Sequence, residues 1–188
     1  MLVLVVGPSG AGKDTLLDAA GTELAGDVRY RFVRRVITRP ADAGGEQHEA
    51  VTPAEFARRR FALAWRAHGL DYGIPEDIET DLAAGRVVVA SVSRGIVAEA
   101  AAQYRVRVIE VTAPPEVLAE RLRSRGREAA EEIARRLARE VRLPDGVAVE
   151  VVSNNSSLEE GARRFQAALI RAAEAALRSR TASAVPPG

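Results

Sequence analysis

Residues 7–13, Gly-Pro-Ser-Gly-Ala-Gly-Lys, carry the spacing G-x-x-x-x-G-K. Glycines at such positions let successive backbone N–H groups turn inward around a phosphate, and the lysine reaches the terminal phosphates of a triphosphate. The chemistry this predicts is phosphoryl transfer from ATP, whose phosphates Gly7, Pro8, Ser9, Gly10, Ala11, Gly12, Lys13, Asp14 and Thr15 would hold. The basic residues are 27 in number, and Lys13 is the one lysine among them. A compact, flexible ammonium suits phosphate oxygens inside a tight loop better than a planar guanidinium does, so keeping lysine at this site alone supports the loop reading.

One residue breaks the usual pattern. Such loops follow the lysine with Ser or Thr, whose hydroxyl ligates Mg²⁺; here Asp14 follows, and Thr15 offers a hydroxyl one position later. A bare carboxylate repels a triphosphate unless Mg²⁺ lies between them, bound directly or through water. Asp14 and Thr15 are therefore the expected metal ligands. Asp14 could equally be a first-turn residue favoured by the helix dipole. No acid closes the later runs "VVVAS" and "VSR", where many such enzymes keep a second Mg²⁺ partner, and Asp14 would supply the missing charge.

The remaining candidates are spread along the chain. Arg39, at the mouth of a strand, and Arg94, just after another, are expected to bind an acceptor phosphate. His48 either contacts the acceptor or sits on the surface, and Tyr72 either lines the pocket or is an ordinary half-buried tyrosine. Trp65 and His68 read as structural. The segment "LAERLRSRGREAAEEIARRLARE" places Arg121, Arg125, Arg127, Arg135 and Arg136 around a glycine break. It reads as a mobile lid bringing guanidiniums onto the transferring phosphoryl group, or else as a solvated face paired with its own glutamates. Lys13, Arg125 and Arg136 are the expected catalytic set, with Arg121 and Arg127 elsewhere on the lid.

These residues need elements to position them. "LVLVV" is a continuous apolar run, the pattern of a strand buried on both faces, and "DTLLDAAGTELA" after the loop has helical spacing. "YRFVRRVITR" alternates as a strand. "TPAEFARRR" opens a short helix with Thr52 as cap and Pro53 at its first position. "FALAW" is a short strand, "GLDYGIP" a turn, and "PEDIETDLAAG" a helix closed by Gly85. "RVVVASV", "VRVIEV" and "VAVEVVS" read as buried strands, separated by the helices "RGIVAEAAAQY", "PPEVLAERLRSRG" and "EAAEEIARRLARE"; "SLEEGARRFQAALIRAAEAALRS" is a long closing helix. Strands alternating with helices predict an α/β fold of the P-loop NTPase type. It would have three layers with a parallel central sheet, plus a small acceptor-binding lobe and an arginine-rich lid.

At 188 residues the chain is long enough for one domain and short for two. The expected limits are 1–178, with the acceptor lobe at about 40–80, the lid at about 122–140, and a disordered tail at 179–188. A net charge of +1 predicts no strong pull toward nucleic acid or membrane. Zero cysteines exclude disulfides and thiolate metal sites and fit a cytoplasmic location. No signal peptide or bilayer-length apolar run is visible. The sequence does not assign an oligomeric state.

The stretches "GPSGAGKDTLL", "VITRPADAGGEQHEA", "LAWRAHGLDYGIP", "SRGREAAEEIARRLAR" and "VVSNNSSLEEG" resemble the guanylate-kinase-like branch of the nucleoside monophosphate kinases. Within that branch they most resemble the ribose 1,5-bisphosphate phosphokinases, in which an aspartate after the loop lysine is normal. The resemblance implies an ATP- and Mg²⁺-dependent kinase that makes phosphoribosyl diphosphate during phosphonate breakdown, with a sugar bisphosphate as its small-molecule partner. True guanylate kinases carry a second arginine soon after "TR" and an Asp-Tyr after "GE"; residues 41–43 and "GEQHEAVT" lack both. A nucleoside monophosphate kinase with an altered pocket, or a non-catalytic binding module on the same scaffold, is the alternative.

Overall fold

The computed structural model describes residues 1–42, 46–124 and 142–183. Strand β1 (Leu2–Val6) is fully buried, and its side chains alternate between two apolar clusters. Val3 and Val5 join one cluster; Leu2, Leu4 and Val6 join the other. That two-residue period is why an unbroken apolar run is the correct sequence for a strand covered on both faces.

The strands in chain order are β2 (Tyr30–Phe32), β3 (Val36–Ile37), β4 (Glu49–Ala50), β5 (Phe61–Ala67), β6 (Leu70–Pro75), β7 (Val87–Ser91), β8 (Val106–Thr112) and β9 (Ala148–Ser153). The helices are α1 (Lys13–Glu23), α2 (Pro53–Phe56), α3 (Ile78–Ala83), α4 (Val97–Gln103), α5 (Pro115–Ser124) and α6 (Leu158–Ser183). A five-stranded parallel sheet runs β2-β7-β1-β8-β9. Helices α1, α5 and α6 cover one face through Leu16, Leu118, Phe165 and Leu169. The other face packs on Ile78 of α3, on Val97 and Ala100 of α4, and on a second sheet. That four-stranded mixed sheet, β4-β3-β6-β5, overlaps the range expected for an acceptor lobe, about 40–80. The three-layer α/β fold is as expected.

Four local readings need correction. The run "YRFVRRVITR" is two short strands, one in each sheet, broken at Val33–Arg35. "GLDYGIP" is strand β6; the turn lies earlier, at His68 (φ 52°) and Gly69 (φ 76°), and joins β5 to β6 as a hairpin. Both residues have positive φ, the twist that suits a two-residue hairpin turn. Strand β9 is an edge strand with Val149 and Val151 exposed and Val152 buried, because a strand at the rim is covered on one side only. Finally, α6 continues to Ser183, so the expected tail begins as helix; residues 184–188 and the "EAAEEIARRLARE" segment lie outside the described residues. Helix α2 opens as expected, with Thr52 and Glu55 forming a reciprocal capping box and Pro53 at its start.

Candidate active site

The loop between β1 and α1 is fixed by its surroundings. A side chain at Gly7 would overlap the Val111 carbonyl at the end of β8, and one at Gly12 (φ 86°) would overlap the Asn154 amide. Asn154 follows β9 and is buried; its Nδ2 donates to the Ala11 carbonyl at 2.7 Å, and its backbone N–H donates to the Thr112 carbonyl at 2.7 Å. Nη1 of Arg121 in α5 also reaches the loop, 3.4 Å from the Gly10 carbonyl. Arg121 thus sits on the loop itself. Ala11 is fully buried and Pro8 contributes its carbonyl, so these two build the loop's shape.

Lys13 Nζ donates to the carbonyls of Gly7 at 2.9 Å and Pro8 at 3.1 Å. Burial lowers its pKa to about 8. Asp14 and Glu46 pull the value up, while Arg35 and Arg94 push it down. The ammonium therefore stands where phosphate oxygens would restore its charge.

The loop opens on a cavity of about 450 Å³. Lys13, Asp14 and Thr15 line one side; Arg35, Arg39, Glu46 and Tyr72 line the other. Nine of the expected residues (Gly7, Ser9, Gly10, Gly12, Lys13, Asp14, Thr15, Arg39 and Tyr72) thus meet in one space. A second cavity of about 620 Å³ runs along α1 and shares Asp14, Arg35 and Glu46 with the first. Asp18 lines it, its pKa raised by burial and then by the charges of Asp14 and Glu46.

Other expectations fare differently. His48 neither faces the cavity nor lies on the surface: it is buried, with Nε2 at 3.0 Å from the Arg39 carbonyl and Nδ1 at 3.1 Å from the Glu46 carbonyl and 3.2 Å from Arg39 Nη2. Its role is to hold the Arg39 segment. Arg94 pairs with Glu110 at 2.6 Å. His68, read as structural, forms the hairpin turn and also lines the loop cavity. Trp65 stacks on Tyr72 with ring centroids 5.4 Å apart and is structural as expected. Arg125, Arg127, Arg135 and Arg136 lie outside the described residues.

The sequence reading missed Arg35, Glu46, Glu110 and Asn154. Glu110 carried a usable signal, an acid inside the apolar run "VRVIEV", and it pairs in register with Val6 beside the loop. Glu46 lay inside the family-like stretch "VITRPADAGGEQHEA" without a role of its own, and Arg35 carried no signal, because nothing separates it from the chain's many surface charges.

A Mg²⁺ ion fits the donor set. Asp14 and Thr15 offer hard oxygens at the loop mouth. Among the described residues no three His, Cys, Asp or Glu side chains converge as a cage. The two hard oxygens suit an ion that takes one or two protein ligands and completes its shell with phosphates and water.

The family model described as an AAA domain matches residues 3–142. The chain is 52% identical over 165 residues to a ribose 1,5-bisphosphate phosphokinase of Brucella melitensis, covering 85% of each. It is 52% identical over 170 residues to one of Acidiphilium cryptum, covering 90% of this chain and 92% of the relative. Among solved structures, guanylate kinase from Anaplasma phagocytophilum superposes with a TM-score of 0.64 at 19% identity, over 90% of this chain and 85% of that one. This last likeness is one of fold. No helix among the described residues is long and apolar enough to cross a membrane.

Proposed function

Because the chain belongs to the ribose 1,5-bisphosphate phosphokinase family, built on an AAA-type P-loop domain, we propose that it transfers the γ-phosphoryl group of ATP to the 1-phosphate of ribose 1,5-bisphosphate. The products are 5-phosphoribosyl 1-diphosphate and ADP. The observation that carries this reading is the composition of one cavity: a phosphate loop with Lys13 on one wall, and Arg35, Arg39 and Tyr72 on the other. Both walls are built for phosphate.

In this reading a 1-phosphate oxygen attacks the γ-phosphorus, and the bond to the β-bridging oxygen breaks toward ADP. The second pKa of a phosphate is about 6, so the attacking oxygen is already anionic near neutral pH and no general base is needed. Catalysis then rests on alignment and on neutralising charge. The loop amides and Lys13 hold the donor, Asn154 and Arg121 keep the loop in shape, and Arg39, Tyr72 and Arg94 serve the acceptor. Mg²⁺, when bound through Asp14 and Thr15, would offset charge on the triphosphate. Arg125 and Arg136 complete the catalytic set from the sequence alone. We assign the reaction to the cytoplasm and to phosphonate breakdown.

The test is ADP release and phosphoribosyl diphosphate formation by purified protein offered ribose 1,5-bisphosphate, GMP and AMP in turn. Turnover is expected with the sugar bisphosphate, and Lys13→Ala should lower it by about 10²-fold or more. Turnover with GMP alone would return the chain to the nucleoside monophosphate kinases, whose fold it shares. Retained turnover in Lys13→Ala would rule out the phosphoryl-transfer reading.

A further inference from the structure

Arg35 and Arg39 flank the short strand β3 and converge on one carboxylate. Arg35 Nε donates to Glu46 Oε2 at 2.8 Å, and Arg35 Nη2 closes on the same oxygen. Arg39 Nη2 lies 3.7 Å from Glu46 Oε1. All three side chains line the cavity onto which the phosphate loop opens, and all are largely withdrawn from solvent, at 11%, 21% and 14% exposure for Arg35, Arg39 and Glu46. Two guanidiniums thus face the phosphate loop with one carboxylate between them.

Each guanidinium is also held by something other than Glu46. Arg35 lies over the Tyr72 ring, 5.4 Å from its centroid. Arg39 is placed by His48, which contacts both its Nη2 and its carbonyl. The positive pair would keep its position if the carboxylate left. Arg39 Nε, moreover, is buried and has no hydrogen-bond partner among the described residues. A guanidinium offers five N–H donors in a fixed fork. A carboxylate leaves several unused, while a phosphate dianion, with three oxygens and twice the charge, can take more of them. The site has the donors and the charge for a larger anion than the one occupying it.

We propose that Arg35 joins Arg39 in binding the acceptor's reacting phosphate, and that Glu46 occupies this seat until that phosphate displaces it. The proposal rests on the acceptor assigned above. Glu46 then sets a threshold: a phosphate dianion outcompetes it, whereas a sugar hydroxyl or a monoanionic carboxylate does not. Selectivity for a phosphorylated acceptor is thereby built into an internal ion pair.

The test is calorimetric binding without ATP, using ribose 1,5-bisphosphate and, separately, inorganic phosphate, on wild type, Glu46→Gln and Arg35→Ala. Removing the competing charge while keeping the side-chain size should tighten both ligands about 3- to 10-fold in Glu46→Gln, whereas Arg35→Ala should weaken both about 10-fold or more. A Glu46→Gln protein that weakens binding as Arg35→Ala does would overturn the proposal and leave Glu46 as a support for the arginines. Should Glu46→Gln fail to fold, a crystal of wild type with ribose 1,5-bisphosphate decides: the Glu46 carboxylate lies off Arg35 with phosphate in its place, or remains paired and sinks the idea. If inorganic phosphate follows the expected order but ribose 1,5-bisphosphate does not bind, the seat stands and the acceptor assignment fails.

Discussion

A lysine whose pKa burial lowers to about 8 is largely deprotonated only above that pH, and there it regains its proton when a triphosphate arrives. Phosphate oxygens add negative charge beside Nζ, so the pKa in the ATP complex lies above that of the free protein. Between the two values, binding takes up a proton, and affinity falls as pH rises through about 8. The groups facing Nζ are Asp14 and Glu46 on the negative side and Arg35 and Arg94 on the positive. Calorimetry at pH 8.5, in two buffers of different ionisation enthalpy, should show uptake of up to about one proton per ATP bound. No uptake would mean that Lys13 is charged throughout. The same shift affects stability: between about 8 and the ordinary 10.5 the unfolded chain binds more protons, so this group makes the protein more stable as pH rises through that window. Asp14 gives a second prediction at this scale. If its carboxylate supports Mg²⁺, Asp14→Asn should need more Mg²⁺ for half-maximal rate and recover at high Mg²⁺, and Asp14→Ser should suffer less because it restores a hydroxyl. Superimposable Mg²⁺ titrations would leave Asp14 as a helix-start residue. Single residues were the least legible part of the sequence. Lys13 was legible because its loop has a fixed spacing; His48 was misread because a lone histidine in a polar stretch gives no sign of being buried under two carbonyls.

Elements were more legible where one pattern served one purpose. β1 was readable because an unbroken apolar run is what a strand buried on both faces requires, and α1 because its buried Leu16 and Ala20 fall one helical turn apart directly after the glycine loop. β6 was misread because Gly73 and Pro75 look like turn residues. Gly73 is there because its position faces the Phe61 ring on the neighbouring strand, which a side chain would strike. The break between β2 and β3 has no local signal, since it exists only because two sheets share one run of chain. Asn154 shows how elements combine to hold the phosphate loop: its amide ties the end of β9 to the Ala11 carbonyl, and its backbone ties the same point to β8. In Asn154→Ala a buried carbonyl loses its donor, at a cost of about 1–3 kcal/mol. Denaturant unfolding should show that loss. The affinity for ATP should fall with it, while that for the acceptor, whose proposed ligands Arg39 and Tyr72 belong to the other sheet and its flank, should change little. Equal losses for both ligands would argue for a general loosening of the site.

At the scale of the whole molecule, the four-stranded sheet and the main sheet share one apolar cluster. Ala62, Leu63 and Ile74 of β5 and β6 pack with Leu2, Leu4 and Val6 of β1 and with Val88 and Ala90 of β7. A sheet whose Ala62, Leu63 and Ile74 are buried in a cluster built largely by its neighbour has too little core of its own to fold alone, so the two sheets should unfold together. The sequence suggested a separate lobe at about 40–80 but gave no sign of this sharing, because shared burial depends on which faces meet in space. The chain carries a natural probe of the question. Its one tryptophan, Trp65, lies on β5 and packs against that common cluster. Tryptophan fluorescence therefore reports the four-stranded sheet, while far-UV circular dichroism reports all helices and strands. Their denaturation curves should coincide in the wild type. Ile74 is fully buried, and Ile74→Ala removes three carbons from the shared cluster, which should cost about 2–5 kcal/mol. If the cluster is one cooperative unit, both curves shift to lower denaturant by the same amount. A fluorescence transition that moves ahead of the circular dichroism would instead show the lobe melting by itself, and the two sheets would have to be treated as separate bodies facing one cavity.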